Sequence, residues 1–236
     1  MAADDCEGHR PPVTSRPTME RRPLCIFDLD GTLYRSETSF LRTMHRIYEE
    51  FGVPSPGDAA ILSTVRETYA TFLEWLQPQG FPTDLEALGE RISEIEFESI
   101  RTEGELFPGT TETLRTLQES GCRIALCTNG DRRYARFVLG AFDLLGCFDA
   151  LMTNEDGRAS KIEMVGSLLA DLQPSVAIMV GDRYHDTEAG RANGCVVVGA
   201  GYGYGSPEEF AGADHVIDRI ASLPGIVEEA RRREPS

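Results

Sequence analysis

Apolar residues follow two rhythms along this chain. Short apolar runs occur at residues 24–27, 122–127 (interrupted only by Arg123), 176–180 and 195–198, with weaker ones at 150–152 and 215–217. Runs this short, bounded by Gly, Pro or Asp, predict strands covered on both faces. Between them, residues 110–120, 132–140, 161–172, 186–192 and 221–232 carry apolar groups at helical spacing, and Gly121, Pro174 and Gly194 mark three of the ends. Strands alternating with helices predict an α/β fold, a three-layer Rossmann-like parallel sheet with right-handed crossovers.

One stretch breaks the alternation. Residues 36–104 hold three amphipathic runs: Phe40, Leu41, Met44, Ile47, Tyr48 and Phe51; then Ile61, Val65, Tyr69, Phe72 and Leu76; then Leu85, Leu88, Ile92, Ile95 and Ile100. Pro54, Pro56, Pro78 and Pro82 fall between the runs, where helices break. This predicts an all-helical insert over 36–104, which divides the sheet domain into 23–35 and 105–236. Trp75 and its aromatic neighbours read as the insert's own core. Residues 1–22, with Pro11, Pro12 and Pro17 and few large apolar groups, read as a flexible tail.

Charge narrows the partners. Asp and Glu number 39 against 23 Lys and Arg, a net charge of −16. Such a surface repels nucleic-acid polymers and anionic lipid. No run approaches the ~18 apolar residues of a membrane span, and the acidic start Met1–Glu7 lacks the apolar core of a secretory signal. Six Cys are dispersed without a Cys-x-x-Cys pair, and Cys25, Cys127 and Cys195 sit in or beside apolar runs. Free buried thiols fit a reducing cytoplasm.

In open parallel sheets the chemistry gathers beyond the carboxyl ends of the strands. Asp28-Leu29-Asp30-Gly31-Thr32-Leu33 follows the first strand, Thr128-Asn129-Gly130 the second, and Gly181-Asp182 with Asp186 the one ending near Val180. Four carboxylates at one rim need a cation, and hard oxygen donors at this density favour Mg²⁺. A helix–loop–helix calcium site is excluded, because Leu33 and Ser39 stand where its Gly and Glu belong. The 23 basic residues are 22 Arg and a single Lys, Lys161, which opens a predicted helix where the dipole disfavours a cation. That placement suggests a task for a compact ammonium that a guanidinium does not perform.

These four segments, in this order, resemble motifs I to IV of the haloacid dehalogenase-like superfamily of phosphohydrolases. Gly181-Asp182-Arg183-x-His185-Asp186 with Gly201-Tyr202-Gly203-Tyr204-Gly205 is similar to the phosphoglycolate phosphatase-like branch, and the insert resembles that family's helical C1 cap. Ile162 stands after Lys161 where many relatives have Pro. The resemblance implies Asp28 as nucleophile and Asp30 as general acid and base, with an aspartyl phosphate between them. It implies Mg²⁺ held by Asp28, the Asp30 main-chain carbonyl, Asp182 and Asp186, and a phosphoryl group bound by Thr128, Lys161 and the amides of Leu29 and Asn129. The second carboxylate, Asp30, favours phosphate esters over halides, because an alkoxide needs a proton to leave. The expected function is hydrolysis of a small phosphorylated metabolite. A phosphomutase of the same fold and a nucleoside monophosphate phosphatase of the 5'-nucleotidase type are the alternatives. Arg42, His45 and Arg46, on one helix face of the insert, are candidate contacts for the leaving group. His185 reads as a loop residue, and the 201–205 segment, lacking the Gly-x-Gly-x-x-Gly spacing of dinucleotide loops, as a flexible loop at the sheet edge.

Overall fold

The computed structural model describes residues 21–65, 69–81, 84–154 and 160–233, so the expected tail lies almost wholly outside them. The chain enters through β1 (Leu24–Phe27) and leaves the sheet for α1 (Ser36–Phe51), α2 (Asp58–Leu62), α3 (Tyr69–Leu76) and α4 (Leu85–Glu103). It returns through α5 (Thr110–Glu119) to β2 (Arg123–Thr128), α6 (Arg132–Ala141) and β3 (Ala150–Thr153). Then come α7 (Lys161–Leu172), β4 (Ala177–Gly181), α8 (Tyr184–Ala192), β5 (Val196–Ala200), β6 (His215–Ile217) and α9 (Leu223–Arg232). The strands are parallel in the order β3-β2-β1-β4-β5-β6. Among the described residues no helix is long and apolar enough to cross a membrane.

The period-2 geometry of a strand explains why the runs are apolar at successive positions. In β1, Cys25 and Phe27 face a layer built from Leu114 and Leu117 of α5, Val138 and Leu139 of α6, and Leu223 and Val227 of α9. Leu24 and Ile26 point the other way, to Met164, Val165 and Leu168 of α7 and Ala189 of α8. Burying each such side chain contributes roughly 1.5–3 kcal/mol, so the central strands fix the register on both sides.

The insert has a core of its own. Met44, Ile47, Ile61, Phe72, Leu76, Leu88, Ile92 and Ile95 pack together, with Trp75 against them. Four helices stand where three amphipathic runs were expected, because the second run is divided: α2 ends at Leu62 and α3 starts at Tyr69. No strand occurs among the described residues of the insert. Its two connections run side by side: the Arg35 N–H donates to the Glu105 carbonyl at 2.9 Å and the Phe107 N–H to the Leu33 carbonyl at 3.0 Å.

Candidate active site

The connections from β1 and β4 diverge to opposite sides of the sheet, so a crevice opens above their carboxyl ends. Phe27 pairs with Val180, and the Asp28 N–H donates to the Val180 carbonyl at 2.9 Å. That register carries Asp28, next after β1, level with the end of β4, where Asp182 follows. Asp186 sits in the first turn of α8, and its Oδ2 accepts from the Arg183 N–H at 3.0 Å. Asp28, Asp182 and Asp186 are all buried, and each offers an oxygen within 4.8 Å of the others.

Lys161 is the first residue of α7. Ser160 caps that helix: its hydroxyl accepts from the Glu163 N–H at 3.2 Å, and the Glu163 carboxylate accepts from the Ser160 N–H at 2.8 Å. Asn193 donates to the Ile162 carbonyl at 3.0 Å. These bonds hold the turn that has Ile162 instead of Pro. The side chain reaches the crevice, where Nζ donates to Asp28 Oδ1 at 2.7 Å and pairs with Asp186 Oδ1.

Burial dominates the electrostatics. It pushes Asp28 well above the usual carboxylate range, against the opposing pull of Lys161. Burial, then the Asp186 charge, pushes Asp182 up to about 7. Burial also works against the Lys161 ammonium, but Asp186 and Asp28 outweigh it and hold the proton on. Asp182 Oδ2 accepts from the Tyr204 N–H at 2.7 Å, whereas its Oδ1 is buried with no hydrogen-bond partner. A buried carboxylate oxygen without a donor is costly. Three convergent hard oxygens, one of them orphaned, fit a small divalent cation such as Mg²⁺.

Asp30 lies at the mouth, partly buried. The chain folds back tightly around it: the Leu29 carbonyl accepts from the Leu33 and Tyr34 amides at 2.9 and 3.0 Å. Gly31 has φ of 78°, and a Cβ there would meet the Asp182 carboxylate, so glycine allows both the turn and the close approach. Asp30 Oδ1 accepts from the Tyr134 hydroxyl at 2.7 Å. Burial raises the Asp30 carboxyl, a shift that the Tyr134 bond opposes.

Thr128 ends β2, is buried, and accepts from the Gly130 N–H at 3.2 Å through its hydroxyl. Leu29 has its side chain in the core, so only its main chain is available, and Asn129 is exposed. Arg42, His45 and Arg46 share a face of α1 as expected, but their charges meet acids of the insert itself. Arg42 pairs with Glu103 at 3.7 Å, His45 with Asp58 at 2.8 Å and Arg46 with Glu98 at 2.7 Å. The structure does not bring them to the aspartates. A cavity of about 740 Å³ lies between α3, α4 and the start of α6, lined by Leu73, Glu90, Ser93, Glu94 and Arg133 among others; none of the site aspartates lines it.

Two expectations need correction. His185 is in the first turn of α8, with its ring against Tyr184, because α8 begins two residues early. The 201–205 segment follows β5, which is flanked by β4 and β6, and it folds over the site. A Cβ at Gly203 would overlap the Gly31 carbonyl and Asp182, Tyr202 donates to the Thr32 carbonyl at 3.0 Å, and the Tyr204 hydroxyl meets Glu37 and Ser36. Its alternating glycines are what let the backbone lie against Asp182. Tyr134 reaches Asp30 without a motif to announce it.

A doubly wound sheet with a buried lysine and convergent carboxylates at its strand ends is the framework of a hydrolase. The chain belongs to the haloacid dehalogenase-like hydrolases, whose family profile matches residues 25–200. It is 29% identical over 217 residues to a phosphoglycolate phosphatase of Haemophilus influenzae, covering 85% of this chain and 96% of that protein. The fold is shared with a crystal structure described as a predicted phosphoglycolate phosphatase from Haemophilus somnus (TM-score 0.77, 21% identity, 88% of this chain and 99% of that one). It is shared equally with a proposed β-phosphoglucomutase from Thermotoga maritima (TM-score 0.76, 20% identity, 88% and 99%). Family and relatives together make this chain a phosphatase.

Proposed function

We propose that the chain is a Mg²⁺-dependent phosphatase that hydrolyses a small phosphate monoester through an aspartyl phosphate, in the manner of the phosphoglycolate phosphatase-like branch. The observation that carries this reading is the single lysine of the chain locked between Asp28 and Asp186, beside the orphaned Asp182 oxygen.

An Asp28 carboxylate oxygen attacks phosphorus, and the ester oxygen leaves with the proton of Asp30. Burial shifts the Asp30 carboxyl toward its protonated form, and the Tyr134 hydroxyl donates to it. Asp30 then takes a proton from water, which attacks the same phosphorus. Phosphate departs and Asp28 is restored. Lys161, the Thr128 hydroxyl and the Leu29 and Asn129 amides bind the phosphoryl oxygens and stabilise the charge that spreads over them. Asp28, Asp182, Asp186 and the Asp30 carbonyl would hold Mg²⁺, which neutralises the carboxylates and the phosphoryl group. Residues 36–104 act as a cap that hinges on the paired 33–35 and 105–107 connections and excludes water. The free thiols Cys25, Cys122, Cys127, Cys147 and Cys195 support a reducing, cytoplasmic setting.

The test is a phosphate-release screen over phosphorylated metabolites with Mg²⁺, with Asp28→Asn as the blank. The wild type releases phosphate from at least one ester, and Asp28→Asn is slower by about a thousandfold or more. Equal rates in the two proteins contradict the reading. Isomerisation of a sugar phosphate without net phosphate release replaces it by a mutase.

A further inference from the structure

Tyr134 makes a contact that its own helix does not explain. It stands in the first turn of α6, where the Asp131 carboxylate caps the helix by accepting from the Tyr134 N–H at 2.8 Å. Its ring packs against the sheet core, and a Cβ at Gly130 would lie 3.4 Å from that ring. The turn that follows Thr128 therefore also sets the direction of the Tyr134 side chain. The hydroxyl crosses to the loop after β1 and donates to Asp30 Oδ1 at 2.7 Å, joining residues 104 apart in sequence. Other side chains of α6 meet the insert instead: Phe137 stacks on Phe97 of α4 at 4.3 Å, and Arg133 lies over Phe97 at 4.7 Å.

A carboxyl that gives and takes a proton within one turnover needs a partner of a particular kind. A cation hydrogen-bonded to it would hold it ionised. A phenol is neutral at ordinary pH and donates to the carboxyl whether that group is ionised or protonated. While Oδ1 accepts from Tyr134, the transferable proton belongs on Oδ2. Oδ2 gives it to the ester oxygen as the bond from phosphorus to the leaving group breaks and the bond to Asp28 forms. It takes a proton back from the water that attacks the same phosphorus and releases Asp28. The Tyr134 proton stays on the phenol throughout. Ser36 also hydrogen-bonds the Asp30 carboxyl, but it opens α1 and belongs to the insert. Tyr134 belongs to the sheet domain, as Asp28 and Lys161 do, so its hold on Asp30 does not depend on the insert.

We infer that Tyr134 is a positioning residue for the acid–base step: its hydroxyl fixes the Asp30 carboxyl so that the free oxygen is aimed at the ester oxygen of the substrate. This rests on the phosphatase reading above and adds to it the group that aims the acid.

The experiment measures kcat/KM with Mg²⁺ for an alkyl ester (phosphoglycolate or glycerol phosphate, whichever is cleaved faster) and for p-nitrophenyl phosphate, in wild type, Tyr134→Phe and Asp30→Asn. This quantity covers the steps through departure of the leaving group, and nitrophenolate departs without a proton whereas an alkoxide needs one. The ratio of the two values is independent of how much of the enzyme is folded. Tyr134→Phe lowers kcat/KM for the alkyl ester about tenfold more than for the nitrophenyl ester, as a misaimed acid implies. Asp30→Asn moves the ratio further in the same direction. Equal losses on the two esters in Tyr134→Phe, or no loss on either, overturn the inference and leave the phosphatase reading standing. An unchanged ratio in Asp30→Asn shows that Asp30 is not the acid, and the inference falls with it. No release from any ester by the wild type overturns both readings.

Discussion

Asp182 shows how a single side chain ties stability to chemistry. Its carboxyl titrates near 3.8 when unfolded and is pushed up to about 7 by burial in the fold. Between those values the metal-free folded state holds a proton that the unfolded state has lost. That contribution is present below about pH 4 and disappears as pH rises to about 7. A bound cation replaces the proton, so its stabilisation grows over the same window. Thermal unfolding with EDTA should therefore show Tm falling from pH 5 to pH 8, and the gain from millimolar Mg²⁺ should be larger at pH 8. A gain of the same size at both pH values would contradict this. Asp28, Asp182 and Lys161 are legible in the sequence because strand-end positions and chain order determine where they arrive. Tyr134 is not, because the packing of α6 brings it to Asp30 and no local spacing encodes that packing. Arg42, His45 and Arg46 mark the limit from the other side. Helical spacing shows that they share a face, but not that the face meets Glu98 and Glu103.

Among the elements, α7 carries the most specific duty, since its first turn aims Lys161 across the crevice. Ser160 and Glu163 hold that turn by reciprocal capping, with Asn193 from α8 as a third restraint. Ser160→Ala should cost about 1 kcal/mol of stability, read by urea unfolding, and should raise KM for the phosphate ester several-fold through a less fixed ammonium. A normal KM with the expected loss of stability would show that the cap does not position Lys161. The strands were readable from short apolar runs because both faces of the sheet are covered. The start of α8 at Tyr184 is not legible, because Tyr184 and His185 carry no apolar period. The place of the 201–205 loop over the site is not legible, because its glycines serve close approach to Asp182, a tertiary fact. The division of the second run into α2 and α3 is not legible, because no Pro stands between Leu62 and Tyr69 to mark it.

The molecule as a whole opposes its own substrate. A net charge of −16 surrounds a site that takes an anion. The Debye length falls from ~30 Å at 0.01 M salt to ~8 Å at 0.15 M. At fixed Mg²⁺, raising salt over that range should increase kcat/KM about twofold, as screening weakens the long-range repulsion. A fall in kcat/KM would mean that local positive potential already dominates the approach. The division of the chain into an α/β body and a helical insert was legible as a change of hydrophobic rhythm at about residue 36. The way the two meet, through Phe97 and Phe137, was not, since both residues also fit the cores of their own helices.

The central claim is that Asp28 becomes covalently phosphorylated. The direct measurement is acid quench during turnover of a cleaved ester, followed by borohydride reduction and peptide mass spectrometry. An aspartyl phosphate reduces to homoserine, so the account predicts homoserine at position 28 in the wild type with substrate and none without it. Homoserine at another aspartate, or none at all while Asp28→Asn still releases phosphate, would contradict it.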